Sequence, residues 1–329
     1  MEHFFIITNK PKDENLQITH SIIRFFEEQG KTCAYQCLEH LEEKNADDAG
    51  NPLHIDERTE CILVIGGDGT LLQAARCTLN LDIPLLGINY GTLGFLAEVE
   101  KSNLNEALTA LLSRELEIEK RMMLEGCILR GSGLHAPQAD AGKLTEPNTP
   151  ADTGEKGLRI AEAAAGEKGL PNAEAEAGQK EYALNDIVLT RPGTLRILNF
   201  DIYVNGQFLN HYSADGVIVS TPTGSTGYNM SAGGPIVEPR AELLLITPIC
   251  PHTLNTRSII LSASDQVEVR IPIGKGGGPQ EVEVNFDGNH KGLLHTGDSI
   301  QIGRSEKVTK FVRINQVSFL EVLHKKMSE

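Results

Sequence analysis

A glycine-rich turn carrying one carboxylate follows an apolar run in the first part of the chain. Gly66, Gly67 and Gly69 surround Asp68 after the run Cys61–Ile65, and apolar residues then return at helical spacing. A strand, a glycine turn and a helix start form a phosphate cradle, because the turn's N–H groups and the helix N-terminus favour an anion. A carboxylate there repels phosphate unless it binds a cation or takes a proton from an attacking hydroxyl, and both roles belong to phosphoryl transfer. Taken alone, the motif also fits a simple turn whose aspartate caps the helix.

Two further polar clusters could hold the group that accepts the phosphate. Asn185 and Asp186 are adjacent between two apolar runs, so one side chain could face a ligand while the other braces the backbone. The stretch 215–235 begins with Asp215 and continues through many Ser, Thr and Gly residues, including Thr223. Hydroxyls and close backbone approach suit a ribose or a phosphate. The structural alternatives are a surface turn for the pair and a helix cap for the longer stretch.

Composition narrows the classes of partner. The chain of 329 residues has a formal net charge of −15, which argues against sequence-independent nucleic-acid binding and against anionic membrane surfaces. No apolar run approaches the roughly 20 residues that span a bilayer. The six cysteines include no Cys-x-x-Cys pair, so we expect a cytoplasmic protein with reduced thiols. A polyphosphate ligand must then be held by local backbone donors, local basic groups and a metal ion.

The elements that must position these residues alternate between strand and helix in the first part of the chain. We predict strands at 4–8, 32–36, 61–66 and 83–89, with helices at 16–29, from the glycine turn to about 79, and at 104–112. This alternation predicts an α/β, Rossmann-like domain with a doubly wound parallel sheet over residues 1–115. Ligands then lie at the carboxyl ends of the strands, where the Asp68 turn is placed.

The pattern changes from residue 116 onward. Strand-length runs punctuated by turns predict an all-β, sandwich-like domain over 116–304. Residues 131–180 interrupt it. They contain no Phe, Tyr or Trp, and 154–165 is repeated in altered form at 166–177. Such a segment buries too little apolar surface to offset its ordering entropy, so we interpret it as a disordered low-complexity insertion without a catalytic role.

The order and setting of the motifs resemble the bacterial NAD kinase family. The matching stretches are Gly66–Thr70, Asn185-Asp186, 215–228 and 231–235, supported by 89–95 and 246–252. The resemblance covers the chain except for residues 131–180. The glycine turn alone would also fit diacylglycerol, sphingosine and 6-phosphofructokinase relatives, whereas the Thr-Pro-Thr-Gly-Ser-Thr stretch is specific to NAD kinases.

The resemblance implies a role for each matching residue. Asp68 is implied to be the general base that takes the proton from the adenosine-ribose 2′-hydroxyl of NAD as this hydroxyl attacks the γ-phosphate of ATP. Asn185 and Asp186 are implied to hold NAD through its ribose and adenine. Asp215 is implied to meet the nicotinamide end, often from the second subunit. The residues implied to contact the phosphates or other parts of the nucleotide are Gly67, Gly69, Thr70, Phe95, Arg196, Thr223, Thr226, Gly227, Tyr228, Ser231 and Asn289.

The same resemblance implies substrates and assembly. The donor is ATP, with polyphosphate as an open alternative, and Mg²⁺ or another divalent cation accompanies it; its protein ligands stay open. A homodimer or homotetramer with shared sites is implied, and residues 305–329 are expected to return to the first domain.

Departures from the family pattern leave the chemistry intact. Gly227 replaces the usual Ala, Asp186 replaces the commoner Glu, and the insertion is foreign to the pattern. Two alternative functions are a lipid kinase of the diacylglycerol or sphingosine type and a non-catalytic NAD-binding sensor. The acidic chain shows no acyl site or basic membrane-facing surface, and an intact Asp68 argues against a sensor. An assay for NADP formation from NAD and ATP discriminates among the three.

Overall fold

Two β-sheets organise the protein in the computed structural model, which describes residues 1–38, 53–89, 94–113, 116–131, 177–193, 196–253, 257–274, 276–314 and 317–328. In these residues an 11-stranded sheet extends through both parts of the chain, and a 6-stranded sheet packs against one end of it. The predicted combination of an α/β part and a β-sandwich part is confirmed.

The first part of the chain forms a parallel sheet. Its elements are β1 (His3–Thr8), α1 (Gln17–Glu28), β2 (Thr32–Cys37), β3 (Cys61–Gly66), α2 (Asp68–Cys77), β4 (Leu85–Asn89), β5 (Val99–Glu100) and α3 (Leu104–Ser113). The strands lie in the order β2-β1-β3-β4, and every pair among them is parallel. The carboxyl ends of β1, β3 and β4 therefore lie along one edge of the sheet.

Helices cover both faces of this sheet. Ile62 and Val64 of β3 pack with Leu71 of α2 on one face. Leu63 and Ile65 pack with α1 and α3 on the other. Because both faces are buried, β3 is apolar along its whole length instead of alternating, which is the pattern seen in the sequence.

The second part of the chain is built almost entirely of strands. Its elements are β6 (Glu117–Leu129), β7 (Ala177–Ala183), β8 (Asp186–Thr190), β9 (Leu198–Val204), β10 (Gln207–Ala214), β11 (Gly216–Ser220), α4 (Tyr228–Ser231), β12 (Leu243–Ile249), β13 (Ile259–Ser262), β14 (Val267–Arg270), β15 (Glu281–Phe286), β16 (Asn289–His295), β17 (Ser299–Arg313) and α5 (Phe319–Met327). The smaller sheet has the antiparallel order β13-β12-β11-β8-β15-β16. Its apolar face packs on β9, β14 and β17 of the larger sheet, with Phe200, Phe286 and Ile302 in the shared core.

Strand β17 joins the two parts. It pairs antiparallel with β6 along most of its length, and Phe311 near its end pairs in parallel with Leu85 of β4. Val312 is buried in the core of the first part. The expected return of the C-terminal segment is confirmed, whereas the divisions after residues 115 and 304 stay predictions.

The structure corrects the end of the predicted insertion. Residues 177–180, assigned to the 131–180 insertion, begin β7, which pairs antiparallel with β6. Residues 132–176 lie outside the described part of the chain. The reason for the error is that residues 178–180 are exposed and carry no apolar alternation. The same reason explains why β10, whose first half is exposed, was not predicted.

Candidate active site

The glycine turn lies at the carboxyl end of β3 and starts α2. Gly67 is the N-cap residue, and its carbonyl oxygen accepts the N–H groups of Thr70 and Leu71 at 3.0 and 3.1 Å. The first N–H groups of a helix have no partner within it, so they point at the space in front of the turn. That space favours an anion, as the sequence analysis predicted.

The Asp68 side chain is fixed by the loop that follows β4. Its Oδ2 accepts the Phe95 N–H at 2.8 Å, and its Oδ1 accepts the Leu96 N–H at 3.2 Å. A Cβ on Gly94 would lie 1.9 Å from Asp68 Oδ1, so only glycine leaves room for this carboxylate. Asp68 is half-buried, and its carboxylate is held in one orientation by two backbone donors.

A lysine that the sequence analysis did not identify lies beside the turn. Lys12 Nζ is 3.0 Å from the place that a Cβ on Gly67 would occupy. The chain after β1 is anchored there, because the Asn9 N–H donates to Ile65 O at 3.1 Å. Lys12 follows the first strand, and the carboxyl ends of parallel strands share one edge, so its position in the sequence was a usable signal. Its charge would offset that of an anion in the cradle.

The Thr70 side chain lies beneath the turn instead of in the cradle. It is 6% exposed, and its hydroxyl oxygen accepts from Asn9 Nδ2 at 3.3 Å. A Cβ on Gly66 would lie 2.3 Å from this oxygen. Thr70 therefore shapes the turn with its side chain, which differs from the expected contact with phosphates. Gly69 is exposed, with open space where a Cβ would be.

Asn185 and Asp186 lie where β7 ends and β8 begins, so the alternation of an unbroken strand does not apply to them. Leu184 packs in the same buried cluster as Leu71 and Leu96, which brings the pair beside α2. Asn185 Oδ1 is buried without a hydrogen-bond partner among the described residues. A buried acceptor of this kind fits a donor group on a ligand.

The pKa of the Asp186 carboxyl is raised above its ordinary value. The residue is 5% exposed. Burial, and then the nearby negative charge of Asp287, raise the pKa of the Asp186 carboxyl to about 7. Near neutral pH this carboxyl therefore exists in both forms, and its protonated form can donate a hydrogen bond.

The loop after β11 is bonded directly to the Asn185 backbone. The Thr221 N–H donates to Asn185 O at 2.8 Å, and the Thr221 hydroxyl donates to Leu184 O at 2.6 Å. Asn229 is fully buried, and its amide donates to two carbonyl oxygens of the loop at 3.1 and 3.0 Å. The structure therefore brings together the second and third clusters of the sequence analysis.

Thr223 connects this loop to β6. It is 4% exposed, and its hydroxyl oxygen accepts from Arg121 Nη1 at 3.3 Å. Arg121 in turn lies 2.8 Å from Glu119 Oε1. Both charged residues were absent from the sequence analysis, because they belong to a run of three consecutive charged residues in β6, and nothing local shows which of these is buried.

The other predicted residues of the loop are progressively more exposed to solvent along the chain. Thr226 and Gly227 are half-buried, and a Cβ on Gly227 would lie 3.5 Å from Asn185 Nδ2. Tyr228 and Ser231 are exposed on the single helical turn α4. The exposed Tyr228 ring and Ser231 hydroxyl are available to a ligand that lies over Asn185.

Asp215 and Arg196 lie away from the glycine turn. Asp215 precedes β11, whereas the loop bonded to Asn185 follows it, so the whole strand separates the two. Asp215 Oδ1 accepts from Arg191 Nη1 at 3.0 Å, a partner that the sequence analysis missed. Arg196 is exposed and lines, with Arg191, a cavity of about 640 Å³. Within one chain, these two residues are not brought to Asp68.

Phe95 and Asn289 contact elements from opposite ends of the chain. The Phe95 ring is 6.1 Å from the Phe319 ring of α5, and it lines a cavity of about 170 Å³ together with Arg121. Asn289 starts β16, and with its amide oxygen turned toward α2 it accepts from the Arg76 guanidinium. Arg76 was not identified from the sequence.

No protein cluster suited to a metal ion is present among the described residues, since no three His, Cys, Asp or Glu side chains converge there. Asp68 is the one carboxylate of the glycine turn. None of the described helices is long and apolar enough to cross a membrane.

Two family models match this chain, one in each of its two parts. The ATP-NAD kinase N-terminal domain matches residues 4–116, and the ATP-NAD kinase C-terminal domain matches residues 184–314. The NAD kinase of Lachnospira eligens is 39% identical over 99% of this chain and 100% of its own length. That of Lachnoclostridium phytofermentans is 40% identical over 100% of both chains.

Solved structures show the same fold. Yeast NADH kinase complexed with NADH superposes with a TM-score of 0.74 at 23% identity, over 100% of this chain and 88% of that one. An NAD kinase from Archaeoglobus fulgidus in complex with ATP has a TM-score of 0.66 at 20% identity, over 99% of both chains. With two family models covering both parts of the chain and relatives near 40% identity over its full length, this protein belongs to the NAD kinase family.

Proposed function

We propose that this chain transfers the γ-phosphate of ATP to the 2′-hydroxyl of the adenosine ribose of NAD, making NADP and ADP. One observation carries the proposal: the carboxylate of Asp68 is oriented at the mouth of a glycine turn, and Leu184, next to the Asn185–Asp186 pair, belongs to the same buried cluster as Leu71 of the helix that Asp68 begins. A base and a sugar-binding pair on adjacent elements suit the transfer of phosphate to a ribose hydroxyl.

The proposed step needs little covalent help from the protein. The 2′-oxygen bonds to the γ-phosphorus while the bond from that phosphorus to the β–γ bridging oxygen breaks, so ADP leaves. Asp68 takes the proton of the hydroxyl. The N–H groups at the start of α2 and the Lys12 ammonium stabilise charge on the phosphates, and most of the rate comes from positioning.

A divalent cation such as Mg²⁺ supplies charge neutralisation on the triphosphate when it is bound. Asp68 is the residue present that would hold such a cation, because Mg²⁺ commonly takes one or two carboxylates, and this is the alternative to its role as the base. The Asn185 pair would hold the ribose and adenine, with Phe95, Thr223, Thr226, Gly227, Tyr228, Ser231 and Asn289 around the nucleotide.

We also propose that two copies share a site in a homodimer or homotetramer in the cytoplasm. Support comes from Asp215 and Arg196, which belong to the implied nucleotide site and yet lie at the far end of β11 within one chain. Light scattering after size-exclusion chromatography measures the mass of the assembly. If Asp215 contributes to a shared site, the Asp215→Asn variant should bind NAD more weakly than the wild type in the assembled form and equally well as a monomer.

The experiment for the activity is direct. Purified protein is incubated with NAD, ATP and MgCl₂, and NADP is followed with an NADP-specific dehydrogenase. Product that carries the new phosphate on the adenosine ribose 2′-oxygen supports the proposal. Tight NAD binding without NADP would favour a non-catalytic sensor, and phosphorylation of a lipid with none of NAD would favour the lipid kinase. Polyphosphate and NADH in place of ATP and NAD define the range of substrates.

A further inference from the structure

The two-residue turn between β15 and β16 contains a carboxylate that the turn itself does not require. Asp287 and Gly288 have positive φ angles of 48° and 77°, as expected for a tight hairpin connection. An asparagine in the first position would satisfy this backbone equally well. The Asp287 N–H also donates to Asp186 O at 3.0 Å, so the turn lies directly against the start of β8.

The carboxylate of Asp287 accepts hydrogen bonds from three consecutive backbone groups. Its Oδ2 accepts the Leu184 N–H at 2.8 Å, and its Oδ1 accepts the Asn185 and Asp186 N–H groups at 2.7 and 3.2 Å. These residues lie at the break between β7 and β8, where the strand ladder is interrupted. Asp287 thereby fixes the backbone from which the side chains of Asn185 and Asp186 project.

The same turn contacts the helix that Asp68 begins. With the amide oxygen of Asn289 turned toward α2, it accepts from Arg76 in the last turn of that helix. Burial raises the pKa of the Asp287 carboxyl, while the three backbone donors and the positive charge of Arg76 act to lower it. One short turn is thus connected at one side to the Asn185 pair and at the other to α2.

We propose that Asp287 is a positioning residue for the phosphate acceptor: it holds the Asn185–Asp186 backbone and, with Asn289 and Arg76, keeps it in register with the helix that carries Asp68. This inference rests on the proposed function. Asp287 touches neither substrate; it acts by keeping the acceptor hydroxyl in line with the base.

The test compares two matched variants, Asp287→Asn and Asp298→Asn. Asp298 is also a buried carboxylate after a glycine turn, and it accepts the backbone N–H groups of His295 and Gly131 at 3.0 and 2.9 Å. It lies at the opposite end of β16 from Asp287, in the connection to β17. Both variants lose one acceptor of backbone hydrogen bonds, so both are expected to lower the Tm.

The kinetic readouts separate positioning from stability. We expect Asp287→Asn to lower kcat/KM for NAD by about tenfold or more, because the acceptor is displaced, while KM for ATP stays within about twofold. Asp298→Asn is expected to leave both constants unchanged. Equal losses in the two variants, or an Asp287→Asn enzyme with wild-type constants for NAD, would overturn the proposal.

Two further measurements keep the test decisive. If Asp287→Asn does not fold, Arg76→Gln is used instead. We expect a smaller fall in kcat/KM for NAD and no change for ATP, and equal effects on NAD and ATP would count against the proposal.

If the wild-type protein makes no NADP, the proposed function fails by itself. In that case NAD affinity by calorimetry decides the positioning role, with weaker binding to Asp287→Asn than to Asp298→Asn as the supporting result.

Discussion

Asp68 Oδ2 accepts a hydrogen bond of 2.8 Å from the backbone N–H of Phe95, so the carboxylate at the start of α2 is held by the loop after β4. The neighbouring Leu96 N–H holds the second oxygen. A base fixed in this way does not have to reorient before the reaction, which is the property that a preorganised active site needs.

Replacing Asp68 by Asn should abolish nearly all turnover without unfolding the protein. An amide cannot take the proton from the ribose hydroxyl, and general-base catalysis typically contributes about 10²–10⁴-fold. NADP formation under saturating NAD and ATP measures the loss, and circular dichroism checks the fold. An Asp68→Asn enzyme with undiminished kcat would show that this residue is not the base.

Adding one methyl group at Gly94 should displace the Asp68 carboxylate. The Cβ of Gly94→Ala would lie 1.9 Å from Asp68 Oδ1, so either the carboxylate or the loop must move. We expect kcat to fall by about tenfold or more, since misplacement of a reacting group is costly. Gly303→Ala is the control, because its Cβ meets only the movable end of Gln266, and its kcat should match the wild type. Equal kcat values in the two variants would contradict the assignment.

Removing the charge of Lys12 should weaken the donor and spare the acceptor. Hydrogen bonds to charged groups contribute about 1.5–3 kcal/mol, so Lys12→Gln should raise KM for ATP by about tenfold or more. Lys31→Gln removes the same charge at a distant pair with Glu2 and should change nothing. Steady-state kinetics with ATP varied at saturating NAD give the answer. A rise in KM for NAD alone would place Lys12 elsewhere in the site.

The raised pKa of Asp186 makes stability depend on pH in a defined direction. Its pKa rises from 3.8 to about 7 on folding, so the folded state keeps a proton that the unfolded state has lost between these values. Stability therefore falls as pH rises through this window, by about 4 kcal/mol at full extent. Asp186→Asn removes this penalty, so its gain in unfolding free energy over the wild type should be larger at pH 8 than at pH 5. Urea titrations at both pH values measure it, and a gain independent of pH would contradict the raised pKa.

Features with a local cause could be predicted from the sequence. The apolar run at 61–65 and the glycines after it specify β3, the turn and the start of α2, and the fold agrees. Residue types also pointed to Asn185 and to the loop near Thr223. The predictions of β3, the turn and the start of α2 succeeded because strand burial, glycine conformation and helix starts depend on neighbours in the chain.

Features that depend on contacts distant in sequence could not be predicted in this way. Asp287 reads as a turn residue, yet its carboxylate bonds a backbone that is 101–103 residues earlier. From the sequence alone Arg121 is a polar strand residue, yet it donates a hydrogen bond to Thr223, which lies 102 residues further along the chain. Such pairs follow from which strands become neighbours and from how the two sheets pack, which no local pattern encodes.

Strand β17 has a consequence for synthesis of the chain. Phe311 and Val312 complete the core of the first part, and Phe311 pairs with Leu85 of β4, but their strand follows the whole second part in the chain. Until β17 has been synthesised, the first part therefore lacks this strand, and the Leu85 end of β4 is unpaired on the side where β5 reaches only Ile88 and Asn89. We infer that the first part of the chain completes its core only after β17 has been synthesised, so that a chain terminated before β17 exposes an unpaired strand edge to aggregation.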